Sequence, residues 1–163
     1  MGSSAKYISA RQAALIARRL KKSGCRVVFT NGTFDILHRG HVEYLQKARK
    51  LGDALFVGLN TDRSVRSYKT PDRPINSQKD RGIVLSALAC VDYVILFDTP
   101  TPLSLIKLLR PDVLVKGADW KKKQVAGARE VESWGGRVKL VPLTQGRSTT
   151  NVIEKIRGGC EKK

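Results

Sequence analysis

The sequence predicts an α/β fold in which a mainly parallel sheet of about five strands is covered by helices on both faces. Short apolar runs typical of buried strands alternate about five times with helical patterns, which indicates βαβ crossovers. Four of the strand runs are followed directly by loops rich in Gly, Asp, Lys, His or Thr. Because ligands of such sheets bind at the carboxyl ends of the strands, these loops indicate one shared site.

Each strand is predicted from a short run rich in β-branched and other apolar residues. The predicted strands are Arg26–Thr30, Ala54–Leu59, Asp92–Phe97, Val113–Val115 and Val138–Val141. No apolar run is long enough to span a bilayer, and the N-terminus lacks the pattern of a signal peptide. We therefore expect a cytoplasmic protein without a membrane segment.

Helices are predicted where apolar residues recur three and four positions apart. A capping box at Ser9 and Gln12 opens the first helix, and Gly24 ends it. Thr101 is the expected N-cap of a later helix that has Pro102 in its first turn. The predicted helices cover about 10–23, 41–51, 62–68, 78–88, 102–109, 122–134 and 148–156.

Length and composition indicate one globular domain, because 163 residues with 41% hydrophobic content can enclose a core. We expect a helical extension at 1–24, a catalytic core at 25–157 and a basic tail at 158–163. Cys25, Cys90 and Cys160 are too far apart for a zinc or redox motif. The net charge of +17 attracts polyanions, although the scattered basic residues do not distinguish nucleotides from nucleic acid.

The strongest functional pattern is the loop from Asn31 to His41, which follows a strand and opens a helix. Gly32 and Gly40 allow the backbone to approach a ligand, and a helix N-terminus attracts phosphate. His38 and His41 are the two histidines of the chain, and both could donate to phosphate oxygens. Helix capping, core packing and a metal pair are the alternatives, but no third metal ligand is near in sequence.

Two further loops have the composition of ligand-binding segments. The stretch Gly146-Arg147-Ser148-Thr149-Thr150 precedes the last helix and could hold phosphate, or it could serve as a plain N-cap. The stretch Lys116-Gly117-Ala118-Asp119-Trp120 offers a close backbone, a carboxylate and an aromatic ring, or it forms an ordinary turn. Lys69 and Arg81 are candidates for phosphate contacts or for surface charges.

Taken in this order and spacing, the motifs resemble those of the cytidylyltransferase-like nucleotidyltransferases. The resemblance rests on Gly32-Thr33-Phe34-Asp35, His38-x-Gly40-His41, Lys116 to Trp120 and Arg147 to Thr150, and it extends from about Arg26 to Ile156. It implies a Rossmann-like single domain. Within the family, the chain resembles the bacterial branch that transfers AMP from ATP to D-glycero-β-D-manno-heptose 1-phosphate, giving ADP-heptose and pyrophosphate.

The resemblance also implies a role for each site residue. The implied catalytic residues are His38, His41 and Lys69. The implied nucleotide-binding residues are Gly32, Thr33, Phe34, Asp35, Gly40, His41, Lys116, Gly117, Asp119, Arg147, Ser148 and Thr149. The implied acceptor-binding residues are Asp35, Arg81 and Trp120. Mg²⁺ is expected to enter with ATP, no metal site formed by protein ligands is expected, and a homodimer is implied.

Several positions depart from the family pattern and bear on the alternatives. Leu143 stands where glycerol-phosphate cytidylyltransferases have an arginine, which argues against a cytidylyltransferase acting on glycerol phosphate or a related alcohol phosphate. Ala118 and Thr70 replace glycines of the heptose branch, which bears on details of the pocket. A basic RNA-binding protein is the alternative of another class, but 6% aromatic residues are few for base stacking.

Overall fold

The computed structural model describes residues 6–70, 72–144 and 148–160. Its strands form one five-stranded sheet in the order β3-β2-β1-β4-β5, and every pairing is parallel. The strands are β1 Val27–Gly32, β2 Ala54–Asn60, β3 Tyr93–Phe97, β4 Val113–Gly117 and β5 Arg137–Val141. The predicted α/β class, the strand number and the parallel sheet are confirmed.

Helices cover both faces of this sheet, as predicted. They are α1 Ala10–Lys22, α2 Arg39–Arg49, α3 Asp62–Arg66, α4 Gln78–Ala87, α5 Leu103–Leu109, α6 Ala128–Ser133 and α7 Thr149–Cys160. Side chains of α1, α5 and α6 pack with Phe29 in one core layer, whereas α2 and α4 pack with Val28 in the other. Neighbouring residues of β1 therefore point to opposite faces. Within the described ranges, no helix is long and apolar enough to cross a membrane.

Helix α1 has the ends that its sequence predicts. The Gln12 amide donates to Ser9 Oγ at 3.2 Å, and the Ser9 amide donates to Gln12 Oε1 at 3.0 Å, which completes the capping box. Gly24 follows the last turn with φ 78°, a left-handed conformation that glycine adopts without steric cost. Local capping chemistry is therefore sufficient to define this helix.

Three predicted helices differ from the structure, and one of them is the last helix, which continues to Cys160 instead of ending at Ile156. The segment predicted as one helix over 122–134 is a 3₁₀ turn at Lys122–Gln124 followed by α6, because Gly127 between them has φ 86°. A Cβ atom on Gly127 would lie 2.7 Å from Ile106 Cδ1, so close packing against α5 also requires glycine there. In α5 the N-cap is Pro102 rather than Thr101, and the Pro102 carbonyl accepts from the Ile106 amide at 2.9 Å.

The sheet opens at its carboxyl edge between β1 and β4. Strand β1 pairs with β2 from Val27 to Gly32, but its pairing with β4 covers only Val28 and Phe29. The strand order changes direction at this same place, because β2 and β3 lie on one side of β1 and β4 and β5 on the other. A crevice at such a switch point is the usual ligand position in a doubly wound sheet.

One buried guanidinium connects the loops at this edge. Arg81 of α4 is 2% exposed. It donates to backbone carbonyls at the carboxyl ends of β1 and β2 and in the loop before α4. Its partners are Thr33 O at 2.6 Å, Asn60 O at 2.9 Å, Asn76 O at 3.0 Å and the Asp62 carboxylate at 2.7 Å. The Asn60 carbonyl lies at the end of β2 and the Thr33 carbonyl just beyond β1, so Arg81 supplies donors where sheet pairing ends.

We predict that Arg81→Met lowers the free energy of unfolding by about 3–5 kcal/mol, because the Asp62 carboxylate and three carbonyls lose their donor. Arg18→Met is the matched control, since Arg18 is exposed on α1 and the change in charge is the same. Urea denaturation of both variants and the wild type measures the difference. Equal stability of the two variants would contradict this role of Arg81.

Candidate active site

A cleft of about 380 Å³ lies at the carboxyl edge of the sheet, where β1 and β4 part. Residues from the loops after β1, β4 and β5, from α2 and from the start of α7 line it together. They are Asn31, Gly32, Thr33, Phe34, Asp35, His38, Gly40, His41, Tyr44, Lys69, Arg73, Lys116, Gly117, Asp119, Trp120, Leu143, Thr144, Ser148, Thr149 and Thr150. Among the described residues, the cleft thus brings together the predicted site residues except Arg81.

The two histidines form a stacked pair at the N-terminus of α2. Their ring centroids are 3.9 Å apart with an interplanar angle of 21°, and His38 is the N-cap residue. Burial and, to a smaller extent, the neighbouring His38 lower the pKa of His41 to about 4, although a hydrogen bond with the Ile36 backbone opposes the shift. His41 is therefore a neutral imidazole at neutral pH while the cleft is empty.

The backbone before the histidines is strained. Phe34 has φ 46°, which is unusual for a bulky residue, and its ring packs edge-on against His41 at 5.2 Å between centroids. A Cβ atom on Gly32 would lie 3.0 Å from this ring, so glycine is needed for the ring to occupy its place. Strain of this kind concentrates at functional sites. Phe34 supports His41 through its ring, a contact that the sequence did not predict.

Asp35 is 4% exposed, and its carboxylate joins the loop after β1 to the loop before α4. It accepts from Arg73 Nε, from the Ile75 amide and from the Asn76 amide, each at 2.9 Å. The Asn76 side chain returns a bond to the Asp35 carbonyl at 2.8 Å. The carboxylate lines the cleft but is already engaged with protein donors, so its main effect is to hold this part of the wall.

Lys116, Gly117, Asp119 and Trp120 form the wall that follows β4. Lys116 Nζ donates to the Asn31 carbonyl at 3.4 Å and lies 5.5 Å from the centroid of the Trp120 ring. Burial lowers the pKa of Lys116 to about 8, and the charge of Asp119 partly offsets that effect. A Cβ atom on Gly117 would overlap Asp119 Oδ1, which explains the glycine at this position.

The start of α7 is the second helix N-terminus in the cleft. Ser148 caps it, since its hydroxyl accepts from the Asn151 amide at 3.1 Å. Thr149 Oγ1 donates to the Ile36 carbonyl at 3.4 Å, which places this helix start beside the loop that carries the histidines. The N-termini of α2 and α7 direct backbone N–H groups and positive dipole ends toward one volume. The predicted residue Arg147, with Gln145 and Gly146, lies outside the described residues.

Arg81 and Lys69, both predicted to contact a substrate, lie at different distances from the cleft. Arg81 does not line the cleft, and four of its N–H donors are used by the protein, so it lies beneath the site instead of contacting an acceptor. It acts on the site through the Thr33 carbonyl. Lys69 lines the cleft from the loop after α3, next to Tyr68, whose hydroxyl is 2.6 Å from Thr33 Oγ1.

Sequence reasoning did not identify several residues that line the cleft. Arg73 lines the cleft because it forms an ion pair with Asp35. In the sequence, the one feature that could have indicated this role is its position before Pro74 in a predicted loop. Tyr44 lies three residues after His41, a spacing that places both on one helix face. Its hydroxyl donates to Thr30 Oγ1 at 2.7 Å, and Thr30 in turn donates to the Val115 carbonyl at 3.0 Å.

The arrangement is suited to holding a polyanion. Two helix N-termini, two lysines and a histidine pair surround the cleft, and glycines allow the backbone to come close to a ligand. Among residues 6–70, 72–144 and 148–160 there is no group of three or more His, Cys, Asp or Glu side chains that could hold a metal ion.

Comparison with curated proteins finds close relatives of this chain. It is 58% identical over 136 residues to "Bifunctional protein HldE" of Syntrophotalea carbinolica, covering 83% of this chain and 28% of the relative. It is 59% identical over 136 residues to the HldE protein of Geobacter sulfurreducens, with the same two coverages. The chain therefore spans about three tenths of the length of the curated relatives that it matches.

Among solved structures, a lipopolysaccharide core biosynthesis protein from Thermoplasma volcanium matches with a TM-score of 0.62 and 31% identity, over 76% of this chain and 100% of that one. Pantoate-beta-alanine ligase from Francisella tularensis matches with a TM-score of 0.59 over 88% of this chain and 68% of that one. At 15% identity this second match concerns the fold alone. Both matches agree with the expected Rossmann-like fold.

A family model described as cytidylyltransferase-like matches residues 29–155. This range includes the histidine loop after β1, the Lys116 segment after β4 and the start of α7. The motifs that suggested the family in the sequence are thus the segments that converge on the cleft. Because the match covers most of the sheet and every cleft-lining segment, the chain belongs to the cytidylyltransferase-like family of nucleotidyltransferases.

Proposed function

We propose that this protein transfers the AMP moiety of ATP to D-glycero-β-D-manno-heptose 1-phosphate and releases pyrophosphate. The observation that carries the proposed reaction is the stacked pair of His38 and His41 at one helix N-terminus, facing the capped start of α7 across the cleft. That arrangement suits a triphosphate. Similarity to the HldE proteins and to a lipopolysaccharide core biosynthesis protein supports the proposed acceptor.

The proposed step is a direct displacement. An oxygen of the acceptor phosphate attacks the α-phosphorus of ATP, a new P–O bond forms, and the bond to the oxygen that bridges to the β-phosphate breaks. Pyrophosphate carries away the electron pair, and no covalent enzyme intermediate is required. Catalysis of this kind depends on positioning and on stabilising charge in the transition state.

His38 and His41 would donate to oxygens of the α- and β-phosphates, where negative charge increases as the bond breaks. Lys69 would reach the leaving pyrophosphate from its position beside the cleft. Mg²⁺ would enter with the ATP substrate and would neutralise part of the charge on its phosphates.

The other site residues have proposed roles in binding. Backbone groups of Gly32, Thr33 and Phe34, together with Gly40, would contact the nucleotide, and Ser148 and Thr149 would lie under its phosphates. Asp119 and Trp120 would border the nucleoside or the acceptor. Arg147 keeps the nucleotide-binding role that the family resemblance implies.

We also propose a catalytic core at 25–157, a cytoplasmic location and a homodimer. The family match at 29–155 lies inside the proposed core. The family resemblance implies the homodimer, and α1 is the element that we propose for its interface. Within the described residues, the packing of α1 against α5 makes the N-terminal helix part of the same core.

We predict that the wild-type protein releases pyrophosphate with Mg²⁺, ATP and D-glycero-β-D-manno-heptose 1-phosphate. The assay is repeated with CTP in place of ATP and with glycerol 3-phosphate in place of the heptose. Release with CTP and glycerol 3-phosphate alone would instead assign the cytidylyltransferase alternative. Leu143 argues against that outcome, because it gives the cleft an apolar side chain where the cytidylyltransferase pattern has an arginine.

For His38→Ala and His41→Ala we expect turnover to fall by roughly 10²–10³-fold, the usual cost of removing one good electrostatic donor. Pyrophosphate release at saturating substrate measures the effect. Thermal unfolding of each variant serves as the control, since the loss must occur in a folded protein. Turnover within a few-fold of the wild type in either variant would refute the proposed roles of the histidines.

We expect ATP binding at pH 5.5 to be accompanied by proton uptake at His41. The pKa of His41 is about 4 in the empty cleft, so the ring is neutral at pH 5.5, and a bound triphosphate favours the charged imidazolium. Calorimetric titration in buffers of different ionisation enthalpy measures the uptake. His41→Asn should take up fewer protons than the wild type, and equal uptake would show that the triphosphate binds away from this ring.

A further inference from the structure

The floor of the cleft is formed by Asn31 of β1 and Lys116 of β4. The ammonium group of Lys116 has hydrogen-bond donors that the described part of the protein does not use. Lys116 Nζ has three N–H donors, and within the described residues its one hydrogen bond is the long contact of 3.4 Å with the Asn31 carbonyl. The Trp120 ring, at 5.5 Å from Nζ, is a weak additional partner. Two donors of a largely buried ammonium group are thus available to a ligand.

The surroundings of Lys116 also favour an anionic ligand. Burial lowers the pKa of Lys116, which means that the empty site stabilises the ammonium charge less well than water does. Asp119 is the carboxylate whose charge acts on it in the opposite sense. A phosphate group beside Nζ would supply both the missing charge and the missing acceptors.

A second, independent feature lies on the same floor. Asn31 Oδ1 is buried and has no hydrogen-bond partner among the described residues, although Asn31 lines the cleft. This oxygen can only accept, so a fully ionised phosphate cannot satisfy it, whereas a hydroxyl group can. A ligand that has both an anionic oxygen and a hydroxyl group would satisfy Lys116 and Asn31 together. A sugar phosphate has both groups, and so does a nucleotide, so the choice between them depends on where the triphosphate binds.

The triphosphate has a different set of partners in the proposed reaction. The N-termini of α2 and α7 and the histidine pair lie on the helix side of the cleft, whereas Lys116 and Asn31 belong to the strands of the floor. Two anionic substrates must approach each other for the attack, and their repulsion opposes it. A cation that holds the attacking phosphate would reduce this repulsion.

We propose that Lys116 binds the phosphate of the sugar-phosphate acceptor, with Asn31 Oδ1 accepting a hydroxyl group of the same molecule. This proposal replaces the nucleotide-binding role that the family resemblance implies for Lys116, and it makes Lys116 the residue that distinguishes the acceptor from the nucleotide in this cleft. The inference rests on the proposed nucleotidyl transfer but not on the identity of the sugar.

The test compares Lys116→Met with Lys139→Met, using the acceptor that supports pyrophosphate release in the wild type. Lys139 is exposed on β5 outside the cleft, so its variant has the same change in net charge. We expect the KM for the acceptor to rise roughly 10–100-fold in Lys116→Met, the cost of one charged hydrogen bond. The KM for ATP should change by less than about threefold, and the Lys139 variant should behave as the wild type.

Lys116→Arg and the pH profile separate a direct contact from a structural effect. The wild-type KM for the acceptor should rise as pH increases above about 8, where Lys116 loses its proton, whereas Lys116→Arg should lack this rise because guanidinium stays charged. Among the described residues, the other ionisable groups lining the cleft are Asp35, His38, His41, Tyr44, Lys69, Arg73 and Asp119. Asn31→Ala should raise the same KM several-fold.

The outcomes distinguish this inference from the proposed function. If glycerol 3-phosphate proves to be the acceptor, the proposed sugar is wrong, and the Lys116 variants are assayed with that phosphate instead. A rise in the KM for ATP with an unchanged KM for the acceptor would overturn the role of Lys116 while leaving nucleotidyl transfer intact. Unchanged values for both substrates would overturn it as well. Calorimetry of acceptor binding gives the same comparison if turnover is too slow to measure.

Discussion

The site depends on how buried carbonyl groups are satisfied where sheet pairing stops. Parallel strands pair their backbones until the ligand-binding edge, and beyond it each carbonyl needs another donor or water. Arg81 supplies that donor to Thr33, Asn60 and Asn76 at once. Across the gap between β1 and β4, Lys116 donates to the Asn31 carbonyl and Thr30 donates to the Val115 carbonyl. Side-chain hydrogen bonds thereby replace the backbone hydrogen bonds between strands at the point where the sheet opens toward the cleft.

This replacement makes the site stiff. Asp35 binds three donors of the loop before α4, and Phe34 is held in a left-handed conformation with its ring against His41. Both residues belong to the same short loop, so the position of its backbone is held by the hydrogen bonds of Asp35 and by the ring contact of Phe34. A binding site that is held in position before its ligand arrives loses less entropy when the ligand binds. At Gly32 a Cβ atom would lie 3.0 Å from the Phe34 ring, so the absence of a side chain there leaves room for this support.

Charge explains the rest of the arrangement. The chain has a net charge of +17, and a field of that sign attracts anionic substrates from solution. Inside the cleft, the proposed reaction assigns the triphosphate to the helix N-termini and the acceptor phosphate to the ammonium group of Lys116. Burial lowers the pKa of His41 and of Lys116, and an anion bound beside them would favour their charged forms. The scattered surface charge and the few buried donors therefore act at different stages of binding.

The sequence by itself determined the layered α/β architecture and the motifs that converge on the cleft. Apolar periodicity and local capping are properties of neighbouring residues, so the five strands, the ends of α1 and the histidine loop could be predicted. Only the tertiary structure decided that Arg81 is buried beneath the site, that Arg73 reaches Asp35 and that Gly127 interrupts a helical pattern. These outcomes depend on partners far away in sequence, because a guanidinium group is buried only where several acceptors converge on it, and a glycine becomes necessary only where another element packs against it.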